Sequence, residues 1–368
     1  MLNNIYTVRN CVSTFVRRGR RGKITLACLF QSSRLLISFK LNTLSLRCFK
    51  LLNGKLKLKD IAPRCGVSNE ELSAFVAYLE KERIVESVSH SKRRSVPRYR
   101  RQLNFFASFE TNTSTRETFQ KKLGTSQVVI LGLGGIGSWV AESLTRSGVG
   151  EFILIDPDKV TASNLPRQTL YQERDLGRKK VKAAAQKLRL TNSEVKIIGL
   201  ERKIISAKQL IPIIRNADLV INCADQPDIS ITNDIISQAC FALKIPHILC
   251  GGYDGHLSFV GQTVIPYKTS CWGCYISGKS YEKRLSGFKS LIITHVSEEG
   301  GTLAPIASIT ANVHALEAIK VLTGYTQPSM INCKAELDFN SLSLIRTRIP
   351  RHPQCNLCGV KKTERRTR

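Results

Sequence analysis

The sequence predicts an α/β chain, with a doubly wound, mostly parallel sheet behind a small N-terminal winged-helix-like α+β domain. Three observations predict it. Short apolar runs alternate with helical stretches after residue 104. A glycine-rich turn joins the first of those runs to a helix. A helix, turn, helix, strand pattern occupies residues 60–87.

The elements follow in chain order. Residues 1–40 read as a basic segment with short strands at 24–30 and 35–39. A helix over 60–65 ends at Gly66. Ser68 caps a second helix, whose Leu72, Phe75, Val76 and Leu79 repeat at helical spacing. Residues 84–87 read as a strand. The polar, basic stretch near 88–104 reads as a linker, so the expected domains are 1–40, 41–95 and 96–368. Beyond it, strands are expected at 127–131, 152–155, 195–198, 219–222 and 248–249. Helices are expected at 139–147 and at 178–189, where Val181, Ala184, Ala185 and Leu188 share a side.

Composition bounds the function. At one domain per ~100–200 residues, a chain of 368 residues holds two or three domains. Hydrophobic residues make up 42% and charged residues 23%, which excludes disorder, collagen and coiled coil as the main architecture. No apolar run reaches the ~18 residues of a membrane-spanning helix. The net charge of +28 predicts an anionic partner: nucleic acid, nucleotide, acidic peptide or membrane surface. Residues 1–59 hold 13 Lys/Arg and no acid, and the first carboxylate is Asp60. Such a start fits an organelle transit peptide. The strand-like segments inside it favour a folded part of the chain. Twelve cysteines and no secretory signal predict reduced thiols in the cytoplasm.

The glycine-rich turn carries the first chemical signal. Gly132, Gly134, Gly135 and Gly137 follow a strand and open a helix. The glycines let backbone amides approach a phosphate, and the helix N-terminus favours its charge. Asp156 ends the next strand, 19 residues after Gly137, where an acid accepts hydrogen bonds from ribose hydroxyls. A Rossmann-like nucleotide site follows, for either a dinucleotide or ATP. Asn164, Arg167, Gln168 and Lys180 lie within 25 residues of Asp156. Such a cluster neutralises a triphosphate and has no task in a dehydrogenase. Lys180, between Lys179 and Lys182, also fits a solvated helix face. Asp225 ends another strand, where its carboxylate suits magnesium or simply caps a turn.

Two CxxC pairs, Cys271/Cys274 and Cys355/Cys358, have the ligand set of a tetrahedral structural zinc site. Redox pairs or buried hydrophobes remain alternatives. His247 precedes an apolar strand and reads as structural, and His256 lies near Gly251, Gly252 and Tyr253 at the expected mouth of the site.

Together GLGGIG, IDPDKV, SNLPRQ, LGRKK, CADQ and the two CxxC pairs resemble the adenylate-forming family of ubiquitin-activating-type enzymes, the ThiF/MoeB/HesA family. The resemblance spans residues ~98–359 and implies a doubly wound, usually dimeric domain. It implies attack of a C-terminal carboxylate on the α-phosphate of Mg-ATP. It gives Asp156 the ribose, Asn164, Arg167 and Gln168 the phosphates, Lys180 the triphosphate and Asp225 the magnesium. It gives Arg101, in the run RYRRQ, the γ-phosphate of a partner subunit's ATP. Its peptide-antibiotic members, which the stretches around GYDGHLSFVGQ and the small N-terminal domain resemble most, clamp a short precursor peptide and activate its terminal Asn. The implied substrate is therefore a peptide or a small ubiquitin-like protein. Gln226 and the pair Ile229-Ser230 depart from the family pattern, which points away from an ordinary ubiquitin-like substrate. Thioester-forming relatives carry a reactive Cys in the segment equivalent to 275–301, which here has none.

Two other functions compete. A nucleotide-sensing DNA-binding regulator fits the winged helix and the +28 charge. In its recognition-helix region, however, Glu70, Glu71, Glu80 and Glu82 outnumber Lys81 and Arg83, which disfavours nucleic acid. An NAD(P)-dependent oxidoreductase fits the glycine turn but leaves Arg167 and Lys180 without a reason.

Overall fold

A computed structural model describes residues 1–20, 23–88, 97–277 and 301–359. The basic stretch 89–96, most of 275–301 and the tail from 360 lie outside the described residues. The chain forms two compact units, Met1–Phe119 and Gln120–Arg368.

In the N-terminal unit β1 (Ile5–Val8) runs antiparallel between β5 (Asn53–Lys57) and β6 (Val85–Ser87). A separate antiparallel sheet holds β2 (Val12–Arg18), β3 (Ile24–Phe30) and β4 (Leu36–Leu41). Helices α1 (Thr43–Leu51), α2 (Leu58–Cys65) and α3 (Asn69–Lys81) lie in the same unit. The expected helix-turn-helix-strand order is present. Gly66 ends α2 in the left-handed conformation, at φ 71°. Ser68 caps α3 in a full capping box with Glu71. Leu58, Ile61, Leu72, Val76 and Leu79 bury against Tyr6, Leu26 and Cys28. The first 40 residues are therefore not a segment apart: β1 sits inside a sheet with later strands, and β3 lines the shared core.

The division also falls later than the linker reading placed it. α4 (Arg100–Ala107) and the start of α5 (Arg116–Thr125) belong with the N-terminal unit. Four nearly buried charges explain this. Arg9 pairs with Glu86 and Glu110, and Arg116 pairs with the same two acids. Each charge has two opposite neighbours, the condition under which burying ions is tolerable.

The second unit is built on a six-stranded sheet of order β14-β11-β10-β7-β8-β9. Its strands are β7 (Gln127–Leu131), β8 (Glu151–Ile155), β9 (Lys196–Leu200), β10 (Leu219–Asn222), β11 (His247–Leu249) and β14 (Gln262–Val264). All pair in parallel except β14, which runs antiparallel to β11. The doubly wound fold expected from the sequence is thus present. The helices include α6 (Gly135–Arg146), α7 (Lys180–Thr191), α8 (Ala207–Ile214), α9 (Ile229–Leu243), α10 (Trp272–Ser277) and α11 (Ala304–Thr323). A small antiparallel sheet adds β12 (Tyr253–Asp254), β13 (Leu257–Val260), β15 (Cys333–Asp338) and β16 (Ser343–Arg348). The chain winds from β7 through β8 to β9, then returns to β10 and β11 on the other side. The order therefore reverses between β7 and β10, and a crevice opens at their carboxyl ends, where such folds bind ligands.

Candidate active site

The crevice begins at Gly132, which leaves β7 at φ 81°. A β-carbon there would sit 2.6 Å from the carbonyl oxygen of Cys223, which leaves β10. One on Gly137 would sit 1.9 Å from the Gly132 carbonyl oxygen. These two glycines let the turn press against β10 and against its own helix. Gly134 and Gly135 face the crevice instead. A β-carbon on Gly134 would meet only Gln168 Nε2, at 4.0 Å, and one on Gly135 would meet the Tyr253 side chain.

Asp156 is buried at the end of β8. Its carboxylate accepts from the backbone N–H of Leu133, at 2.7 Å, and of Asp158, at 2.8 Å. Burial pushes its pKa above the ordinary value, while the Lys180 cation and those two N–H groups oppose the rise. The acid is thus welded to the glycine turn and keeps lone pairs for hydroxyl donors.

Lys180 opens α7 and is buried, whereas Lys182 is exposed. Its Nζ lies 2.9 Å from Asp158 Oδ2. Lys179 points elsewhere and pairs with Glu201. The solvated-face reading of Lys180 does not hold. Asn164 is buried and caps its turn by accepting from the Thr161 N–H at 3.0 Å. That bond through its Oδ1 shapes the loop. That loop presents Arg167, whose Nη1 donates to the Ser163 carbonyl at 2.5 Å and whose own carbonyl accepts from Trp139 Nε1 at 3.1 Å. Gln168 is buried, and its Oε1 has no hydrogen-bond partner. A buried acceptor without a donor, beside an open glycine face, fits a nucleotide that brings hydroxyl or amino donors. Asp225 is exposed, three residues past β10.

Sequence reasoning missed Tyr253. Its hydroxyl oxygen stands 1.9 Å from where a Gly135 β-carbon would be, beside the Arg167 guanidinium and near Asp225. No spacing rule points to it, because a hairpin past β11 delivers it. His247 is structural, as expected: it is fully buried and burial pushes it down to about 4. His256 is exposed and faces Asp338 at 3.9 Å. Arg101 lies exposed on α4 of the N-terminal unit.

The two CxxC pairs converge. The sulfurs of Cys271, Cys274, Cys355 and Cys358 all lie within 4.8 Å of one another, and all four residues are buried. Individual Sγ–Sγ separations are 3.3, 3.6 and 3.9 Å. A tetrahedron with bonds of ~2.3 Å has edges of ~3.8 Å, so the set fits a four-thiolate metal site. Burial and the Cys274 thiol push Cys358 up to about 11, a cost that a cation would remove.

A glycine-rich turn, a buried acid and a buried lysine thus meet at the switch point of the sheet, with an arginine on the adjoining loop, an arrangement suited to a phosphate-bearing ligand. The ThiF family model matches residues 99–357, and the chain belongs to that family. It is 32% identical over 243 residues to the molybdopterin-synthase adenylyltransferase of Escherichia coli K12, covering 65% of this chain and 90% of that protein. It is 31% identical over 213 residues to the sulfur carrier protein ThiS adenylyltransferase of the same organism, covering 57% of this chain and 77% of that one. The crystal structure of E. coli MccB with ATP superposes with a TM-score of 0.71 at 23% identity, over 96% of this chain and 99% of that one. The protein is an ATP-dependent adenylyltransferase.

Proposed function

We propose that the enzyme activates the C-terminal carboxylate of a short peptide, in place of a ubiquitin-like protein, as an acyl-adenylate. A carboxylate oxygen attacks the α-phosphorus. The new O–P bond forms as the α–β bridging bond breaks, and pyrophosphate leaves with the electron pair. Asp156 and Gln168 hold the nucleoside, and the α6 N-terminus and Arg167 hold the α-phosphate. Lys180 exchanges Asp158 for the triphosphate. Asp225 would ligate magnesium, which supplies charge neutralisation on the phosphates. Arg101 would reach the γ-phosphate across a homodimer. Zinc is the metal we assign to the four cysteines, as a closed structural site. The free state of all described cysteines fits a reducing, cytoplasmic setting.

The observation that carries this reading is Lys180, a cation held in a buried position beside Asp156 and hydrogen-bonded to the exposed carboxylate of Asp158. The peptide choice is supported by the MccB likeness, which extends over the N-terminal unit, and by the MccA peptide in a structure of that enzyme. The test is ATP–pyrophosphate exchange with synthetic peptides ending in a free Asn carboxylate, against the same peptides as C-terminal amides. Exchange with the acids alone supports the reading. Exchange with a sulfur-carrier protein and with no peptide would overturn the substrate class.

A further inference from the structure

Tyr253 has no part in the roles assigned so far. The hairpin of β12 and β13 carries it, with Tyr253 paired to Ser258. Its hydroxyl lies against Gly135, the first residue of α6, so closely that a β-carbon there would stand 1.9 Å from it. The Arg167 guanidinium faces the same hydroxyl, and Asp225 is near enough to be felt by it. An oxygen between a helix N-terminus and a guanidinium sits in surroundings built for an anion. Of the three phosphates, the α-phosphate is the one bonded through the ribose. It must therefore lie nearest the ribose acid, and Asp156 is bonded to Leu133, two residues before Gly135.

We propose that the Tyr253 hydroxyl is a further ligand-contacting group of the adenylylation site, donating its proton to an oxygen of the ATP α-phosphate. This rests on the adenylyl-transfer reading above. Arg167 faces the phenol oxygen. When the phosphate arrives, Arg167 turns to it and the phenol O–H does the same. Burial pushes the phenol above its ordinary value, though Arg167 pulls the other way, so it stays protonated and a donor at neutral pH. It keeps that proton throughout. Negative charge grows on the α-phosphate oxygens as the carboxylate attacks, and a fixed donor there is worth most at that moment.

The experiment compares the wild type and Tyr253→Phe, which keeps the ring, by phosphorus NMR of bound MgATP. The expected result is a displaced α-phosphorus resonance with β and γ unmoved. The Kd for MgATP is expected to rise about two- to twelvefold, the worth of one neutral hydrogen bond. An unmoved α resonance overturns the proposal. So does a Kd that falls, since the hydroxyl would then only fill an empty site and be expelled by ATP. A wild type that binds no MgATP instead rejects the adenylyl-transfer reading itself.

Discussion

Lys180 Nζ lies 2.9 Å from Asp158 Oδ2, yet the lysine side chain is 7% exposed and the aspartate 61%. The partnership is lopsided. The fold has buried the cation and left its anion in water, where water compensates it and lets it go. Lys180 is thus held in place without being used up.

Lys180→Ala should therefore spare the fold and damage the site. Asp158, already hydrated, loses little, and buried Asp156, which loses a nearby cation, keeps the N–H groups of Leu133 and Asp158. MgATP affinity is expected to fall about 10- to 100-fold, the loss of a charged hydrogen bond. Titration calorimetry reads the affinity, and a thermal melt reads the stability. Lys182→Ala, on the exposed turn, is the matched control and should change neither.

The cysteine cluster can be attacked without touching a cysteine. A β-carbon on Gly273 would stand 2.8 Å from Cys355 Sγ. Gly273→Ala is therefore expected to lower bound zinc from about one per chain and to lower the melting temperature. Chelation should have the same effect on the wild type. Metal analysis that finds no zinc in a wild type of unchanged stability would remove the assignment.

The charged quartet of the N-terminal unit makes stability depend on pH. Burial works to raise Glu110, but Arg116 and Arg9 overcome it and hold the carboxyl below its ordinary 4.5. A lowered folded value contributes stability that is whole above 4.5 and is lost as pH falls through the folded value. Glu317 in the second unit shifts the same way. Burial opposes there too, but Lys320 and the N–H groups of Ser329 and Met330 win. Glu110→Gln is the discriminating variant. It should cost about 3–5 kcal/mol at neutral pH, because Arg116 and Arg9 stay buried with a partner gone. It should also flatten part of the acid limb. Circular dichroism melts between about pH 3 and 7 read both effects. Superimposable acid limbs in the two proteins would count against the quartet as their cause.

The sequence made the parallel sheet legible through its strand-helix alternation, and the strands at 127–131 and 219–222 match β7 and β10 in full. β2, β5 and α1 were not legible. Each carries two basic residues, and β2 and β5 are largely exposed, so no buried apolar run marks those two strands. In the site, spacing placed Asp156 but could not separate Lys180 from Lys179 and Lys182. Only the turn of α7 against Asp158 decides which of them is buried. Asn164 accepts from the Thr161 N–H through its Oδ1, a bond within its own loop that spacing does not reveal. Tyr253 depends on where a hairpin returns, which is a property of the tertiary fold alone.

The quartet also bears on how the chain matures. Arg9 and Arg116 stand more than a hundred positions apart, and Glu86 and Glu110 complete the ring late. During synthesis Arg9 emerges first and waits, unpaired, for partners still inside the ribosome. β1 waits likewise for β5 and then β6. The N-terminal unit cannot be finished as it is made. It closes only after Arg116 emerges, when the first strand of the next unit is already being translated.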